Sequence, residues 1–466
     1  MYGNGTIRSR TRIITGLTTA FALVCVSFTA TAQSDEIEKL RVEYDQKLKE
    51  LQENFEKQLD ALKEEIKKDA SAEVPVAPTV ASAPDGNDFR VYWKDGLRLD
   101  SYNGDFKLKF GGRIQNDWAF FSEGDEIKAS GINSQDGTEF RRARLFIGGI
   151  IYDEFEFKAQ FDFEDGEADW KDVYIGANAV PIFGQIRIGH IKEPFGLDAL
   201  TSSKDVSFME RSLPSTFAPF RNTGIAFARS ALDKRLAYTA GVFRQTGKFG
   251  EGQSDDGDIN FTGRVSGVPI WIKEGDRFLH LGGAVSHKSV NGEWNISSPA
   301  EAHMAEDLVG AVVMADDVSL YGLEAAYVRG PWSVQGEYML ANVNGLTSAD
   351  DVNFDGYYLQ TSYFLTGEHR SYKLGTGIFE KVKPHRNFGF KEGGGPGAWE
   401  LAARYSTIDL NDKGIVGGEL EDITAGITWY LNPNMKTLLN YVHGELDLGS
   451  VDDSVDYIQA RFQVTW

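Results

Sequence analysis

The chain has 466 residues, with 69 Asp and Glu against 48 Lys and Arg and a formal charge of −21. An excess of acid on that scale argues against a nucleic-acid partner, because phosphate backbones are held by basic faces. A single Cys, Cys25, rules out a disulfide framework.

The first residues read as an address. Arg8, Arg10 and Arg12 precede the apolar run IITGLTTAFALVCVSF, and Ala30, Thr31 and Ala32 close it. A basic head, a short apolar middle and small residues at the exit describe a secretory signal peptide over residues 1–32, cut before Gln33. A membrane anchor is the other reading, but the run is short and broken by Thr and Gly. Removal of the leader takes Cys25 and three arginines with it, leaving an exported chain of charge −24 without a thiol. No later run of 18 apolar residues follows, so the exported chain is expected to be either soluble or a β-barrel.

Residues 34–69 carry three blocks of eleven. Ile37, Leu40 and Tyr44 recur as Leu48, Leu51 and Phe55, then as Leu59, Leu62 and Ile66. A period of about 3.67 residues per turn predicts a nearly straight or slightly right-handed coiled coil, about 50 Å long. So narrow an apolar stripe has no core of its own, which favours self-association over an isolated helix. Residues 70–90, rich in Pro and small residues, read as an extended linker.

From residue 91 to 466 the period changes to two. In DEFEFKAQFDFED, residues 153–165, Phe155, Phe157, Ala159, Phe161 and Phe163 alternate with Glu154, Glu156, Lys158, Gln160 and Asp162. Successive strand side chains point to opposite faces, so one face is apolar and the other charged. Sixteen such segments are predicted, beginning near residues 105, 138, 153, 170, 184, 223, 235, 258, 277, 319, 331, 355, 397, 420, 435 and 454. An even number of amphipathic strands of about ten residues is the pattern of an outer-membrane barrel. Long connections at 122–137, 193–222 and 288–318 alternate with short ones at 152–153, 230–234 and 329–330. Residues 366–396 break that rule: they stand where a short turn is due, implying a miscounted hairpin or an elaborated turn. The last segment, DYIQARFQVTW, is amphipathic and pairs with the first if the barrel closes. The fold class is therefore all-β, a sixteen-stranded antiparallel transmembrane barrel preceded by a periplasmic coiled-coil helix; a secreted sandwich or propeller is the alternative. Sixteen strands leave an aqueous lumen.

Charge on the inner face then decides what passes. Arg113, Arg142, Arg144, Lys158, Arg187 and Arg404 are inward candidates, together with Lys107 and Lys109, facing Glu154, Glu156, Asp162, Glu337 and Glu400. Basic rings favour anions, and the guanidinium fork suits a phosphate. Arg142 and Arg144 share one strand face about 7 Å apart, as two rungs for an oxyanion; the other reading pairs them with Glu154 or Glu156. The connection KEPFGLDALTSSKDVSFMERSLPSTFAPFRN, Lys192 to Asn222, is too apolar to stay in solvent. It is expected to fold into the lumen, carrying Lys192, Lys204, Arg211 and Arg221 and the hydroxyls of Thr201, Ser202 and Ser203.

EFRRARLFIGG, GHIKEPFGLDALTSSKDVSFMERSL, YGLEAAYVRGPWSVQGEY, YYLQTSYFLTGEHRSY and GAWELAARYSTIDL resemble, in order, the phosphate-selective porin O and P family of Gram-negative outer membranes. The resemblance runs from about Leu97 to Trp466. It implies a trimeric sixteen-stranded barrel in outer-membrane lipid, an N-terminal periplasmic extension, an inward third loop, and an Arg and Lys path feeding a phosphate or polyphosphate site. By motif, Arg141, Arg142, Ser202, Ser203 and Lys204 match the family's basic wall and constriction loop. Inorganic phosphate or another small anion is the expected partner, with no cofactor, metal or catalytic group. The alternative is a general or cation-preferring porin whose coil tethers the envelope. An enzyme is disfavoured, since the seven His (190, 280, 287, 303, 369, 385 and 443) form no recognisable Ser/His/acid or metal-ligand arrangement. Some seventy residues before the barrel are also too few, and too helical, for a transporter's plug.

Overall fold

The computed structural model describes residues 88–252, 259–346 and 349–466, with nine further residues between 46 and 60. The chain divides into two units, Met1–Ser82 and Ala83–Trp466. In the first, all nine described residues are helical and exposed, within the span read as a coiled coil. The leader, most of the eleven-residue repeats and the linker up to residue 87 lie outside the described residues.

The second unit is a closed antiparallel barrel. Two short strands, β1 (Phe89–Trp93) and β2 (Leu97–Ser101), precede it. The wall runs through β3 (Phe106–Glu123), β4 (Gly137–Ile151), β5 (Phe155–Asp162), β6 (Asp169–Val180), β7 (Gly184–Lys192), β8 (Arg221–Ala231), β9 (Leu236–Arg244) and β10 (Asn260–Ile272). It continues through β11 (Arg277–Ser298), β12 (Val309–Arg329), β13 (Trp332–Gly345) and β14 (Val352–Phe364). A small hairpin, β15 (Tyr372–Lys373) and β16 (Ile378–Phe379), interrupts it before β17 (Ala398–Asp412), β18 (Ile415–Asn432), β19 (Met435–Asp447) and β20 (Asp452–Thr465). Each wall strand pairs with its sequence neighbour, and β20 closes on β3 from Val455↔Glu123 to Thr465↔Arg113. Beyond that point β2 takes over the same edge of β3, from Leu97↔Phe110 to Asp100↔Lys107. Strand β1 begins two residues inside the segment read as a linker.

Alternation accounts for the wall. On β5, Phe155 is 53 % exposed on the outer face, whereas Asp162 on the inner face is wholly covered. The 152–154 turn is tight because Tyr152 and Asp153 both adopt positive φ, which matches the twist of the flanking strands. The expected 288–318 loop is mostly strand. β11 and β12 pair up to Ser298↔Val309, with a register shift at Ser289/Gly292, and only 299–308 connects them.

Two long connections fold into the lumen, and the shorter 299–308 connection folds in beside them, its Glu301 bound to Arg404. The 193–220 segment enters from the end of the long loops and buries Phe195, Leu197, Phe208, Met209, Leu213 and Phe217. The facing wall makes room by omitting side chains: a methyl group at Gly322 would stand 3.1 Å from the Phe195 ring, and one at Gly426 3.2 Å from the Phe208 ring. The 365–397 segment enters from the turn end, so no hairpin was miscounted and the turn is elaborated. Its Tyr372 hydroxyl lies 2.6 Å from His280 Nδ1, and Arg370 donates to Gln335 Oε1 at 2.8 Å while stacking 3.6 Å over the Phe379 ring.

Candidate functional site

Between the 193–220 segment and strands β3–β8 lies a cavity of about 1410 Å³. Fourteen Lys and Arg side chains line it against six Asp and Glu, inside a chain whose total charge is negative. The acid of the sequence lies elsewhere, so the net charge of the chain says little about the path.

The part of the lining nearest the inserted loop is assembled from three elements. Arg113 and Gln115 on β3 stand in register opposite Arg144 and Arg142 on β4. Two arginines directly opposite one another on neighbouring strands repel, which a purely structural wall would avoid. Arg113 donates to Ser203 Oγ at 2.6 Å, and Gln115 Nε2 lies 3.4 Å from the Ser203 carbonyl, which fixes the loop against the wall. Arg142 donates to Gln115 Oε1 at 2.9 Å and leaves its Nε buried without a partner.

The remaining cations divide by how fully they are neutralised. Arg144 is held by Asp162 at 2.5 Å. Lys158 and Arg221 share Asp172, at 2.6 and 2.7 Å. Arg187 pairs with Glu156 at 2.7 Å and stacks over Tyr174. Arg141 takes Glu210 at 3.1 Å, and Glu210 also binds Arg461 at 2.6 Å. Burial alone would raise the Glu210 carboxyl, yet Arg141, Arg461 and Arg142 hold it well below the usual carboxylate range. By contrast, Lys192 donates to the Ala199 carbonyl, and Arg211 to the Asp198 and Thr201 carbonyls at 2.9 Å each. Arg113 and Lys204 have no carboxylate within ion-pairing distance among the described residues, and Ser202 lines the cavity beside them. Burial pulls the Lys204 amine below its ordinary value, with Asp205 opposing the shift and Arg113 adding to it.

Of the Lys, Arg and hydroxyl side chains singled out in the sequence, all but Lys107, Thr201 and Arg404 line this cavity. Thr201 and Arg404 are buried, Arg404 behind the loops. Its guanidinium binds Glu301 at 2.9 Å and the Glu210 carbonyl at 3.0 Å, over the Phe208 ring. The expected partners of Arg142 and Arg144 are corrected too: neither meets Glu154 or Glu156, because the register brings Asp162 to Arg144 and Gln115 to Arg142. Lys107 stays outside at the turn end, bound to Asp153.

Arg141 faces inward although Arg142 does as well. The register shifts between Gln115↔Arg142 and Asp117↔Glu139, so β4 fits two residues against one of β3 and turns both arginines inward. Strict alternation could not have placed it. Asp172 and Phe146 were not foreseen as site residues. Phe146 lies beneath Lys109 and Lys158, at 5.3 and 5.6 Å from their amines, where an aromatic face steadies both cations. Reading Asp172 required the β5–β6 pairing, in which a shift at Ala159/Phe161 changes the face.

The sequence profile of the phosphate-selective porin O and P family matches residues 108–466. The chain is 28 % identical to Porin O of Pseudomonas aeruginosa over 421 residues, which cover 81 % of this chain and 93 % of that protein. An uncharacterized protein of Caulobacter vibrioides is 29 % identical over 386 residues, 79 % of this chain and 75 % of its own. Among solved structures, the outer-membrane channel DcaP of Acinetobacter baumannii superposes with a TM-score of 0.50 at 11 % identity, covering 78 % of this chain and 97 % of that one, a likeness of fold alone. With three quarters of its length matched, and with the barrel and inward loop in place, the chain belongs to the phosphate-selective porin O and P family of outer-membrane channels.

Proposed function

We propose that this channel passes small anions by diffusion, with phosphate or polyphosphate preferred. The observation that carries the reading is the surplus of cations along the cavity, above all Arg113 and Lys204, which have no ion-paired carboxylate among the described residues, beside Ser203 and the partly satisfied Arg142. A guanidinium fork, an amine and hydroxyls together can replace the water shell of an oxyanion. Arg141, Arg144, Lys158, Arg187 and Arg221 form the approach, where paired carboxylates moderate the attraction and let the ion leave; Lys192 and Arg211 brace the loop from behind. Passage needs binding strong enough to enter and weak enough to release. Three copies associating through their barrels would suit a closed cyclic assembly, with the helix of the first unit in the periplasm helping to hold them together.

The test is single-channel conductance of the refolded protein in planar bilayers, with reversal potentials in a KCl gradient and phosphate added as blocker. Anion-directed reversal with block by phosphate is expected, and Arg113→Ala should weaken the block about tenfold or more, the loss of one charge-assisted hydrogen bond. Cation-directed reversal without block would overturn the reading.

A further inference from the structure

Strands β12, β13, β17 and β18 each carry one carboxylate on the covered side of the wall: Glu324, Glu337, Glu400 and Asp422. None is more than 5 % exposed, and none lines the cavity. Three are contacted by chain that has folded into the lumen, and Glu324 by an arginine that such chain holds. Glu337 accepts the N–H groups of Leu197 and Asp198 at 2.6 and 2.7 Å. Glu400 accepts the Ser207 hydroxyl at 2.9 Å, again from the 193–220 segment. Asp422 accepts the Glu301 N–H at 2.8 Å, from the 299–308 connection. Glu324 is bound at 2.7 Å by Arg264, whose guanidinium also reaches the Gly377 carbonyl at 2.7 Å in the 365–397 segment. Four strands thus offer acid, and three inserted segments cover it.

We propose that the inserted segments set the sign of selectivity by masking this acidic wall, the carboxylates of Glu337 and Glu400 staying silent towards permeating ions while the 193–220 segment is seated. The inference rests on the anion-channel reading above. With the mask in place, an ion in the water path sees the basic wall of β3–β8. With the mask lifted, the carboxylates are solvated and ionised, and each opposes anion entry. At about 8 Å through water, one charge changes the ratio of anion to cation permeability about twofold.

The experiment compares four channels: the full chain, the full chain with Glu400→Gln, a chain with residues 197–217 replaced by a short Gly-Ser linker, and that shortened chain with Glu400→Gln. At Glu400 the hydroxyls of Ser207 and Tyr430 can turn to accept from an amide, so the seat survives there. Glu400→Gln should leave the Cl⁻/K⁺ permeability ratio of the full chain nearly unchanged and raise that of the shortened chain about twofold. Both shortened channels lack the same loop cations, so their difference reports the carboxylate alone. Equal ratios in the two shortened channels, or an equal shift in both backgrounds, would overturn the proposal. Should the shortened chain not fold, carbodiimide labelling of the wild-type protein with glycinamide decides. Glu337 and Glu400 should stay unlabelled while exposed Glu154 reacts, and equal labelling rates would overturn the masking. Selectivity of the wild-type channel reads the anion assignment separately, since labelling is indifferent to which ion passes.

Discussion

The 193–220 and 365–397 segments enter the lumen from opposite ends of the barrel; the first buries many rings and aliphatic chains beside polar seats such as Glu337 and Glu400, whereas the second buries fewer apolar side chains beside its polar contacts. Phe195, Phe208, Met209, Leu213 and Phe217 fix the first against a wall thinned by glycine. Arg370 on Gln335, Tyr372 on His280 and Arg264 on the Thr376 and Gly377 carbonyls fix the second, with Phe379 beneath Arg370. Apolar burial has no preferred direction and scales with area, so packed rings tolerate small shifts and fail when a large side chain is truncated. Polar seating is directional, and removing one partner leaves the other unsatisfied. The difference also divides labour: the first segment brings Ser203 and Lys204 to the water path, whereas the second reaches the cavity only through Gly375, Thr376 and Ile378.

Truncation is the strongest way to break this contrast. Phe208→Ala should cost about 3–5 kcal/mol, the usual loss for an aromatic ring removed from a packed site, read as a fall in the denaturant midpoint in detergent or lipid. It should also make the single-channel current noisy, because the loop that shapes the path is loosened. Arg370→Ala should cost less, about 1–3 kcal/mol, by removing the closer of the two donors to Gln335 Oε1 and stripping the cation from Phe379. Conductance should rise while block by phosphate stays unchanged; a weakened block would mean that both segments form one binding site. The smallest effect sharpens the role of the first segment alone. Because burial lowers the Lys204 amine, its charge disappears at a lower pH than that of an ordinary lysine. Preference for Cl⁻ over K⁺ should therefore decline as pH is raised from neutral into the alkaline range, by less than tenfold, and Lys204→Arg should flatten that decline.

The strands were legible because period two is local. The starts expected near 105, 184, 277, 331, 397 and 435 fall within a residue of those observed. The β12 start was placed ten residues late, since Val309–Val318 continues the ladder with β11 where the sequence looked like loop. The inward loop was legible from its apolar content alone. Its seats were not: Glu337 lies 140 residues from Leu197 and Glu301 103 residues from Arg404, and no periodicity joins residues so far apart. Arg404 looked like a rung because its strand face was read correctly, while the segments covering that face could not be foreseen. Arg141 was reached through motif resemblance and explained only by the bulge in β4.

Gly322, Gly356 and Gly426 face Phe195, Pro214 and Phe208, and at each position even a methyl group would stand only 3.1–3.2 Å from the loop. Wall and loop are therefore cast from one mould. The constriction is not a portable module: transplanted into a barrel that carries ordinary side chains at those three places, it would find its berths filled and stay outside. Lineages that exchange such loops must exchange the hollows with them.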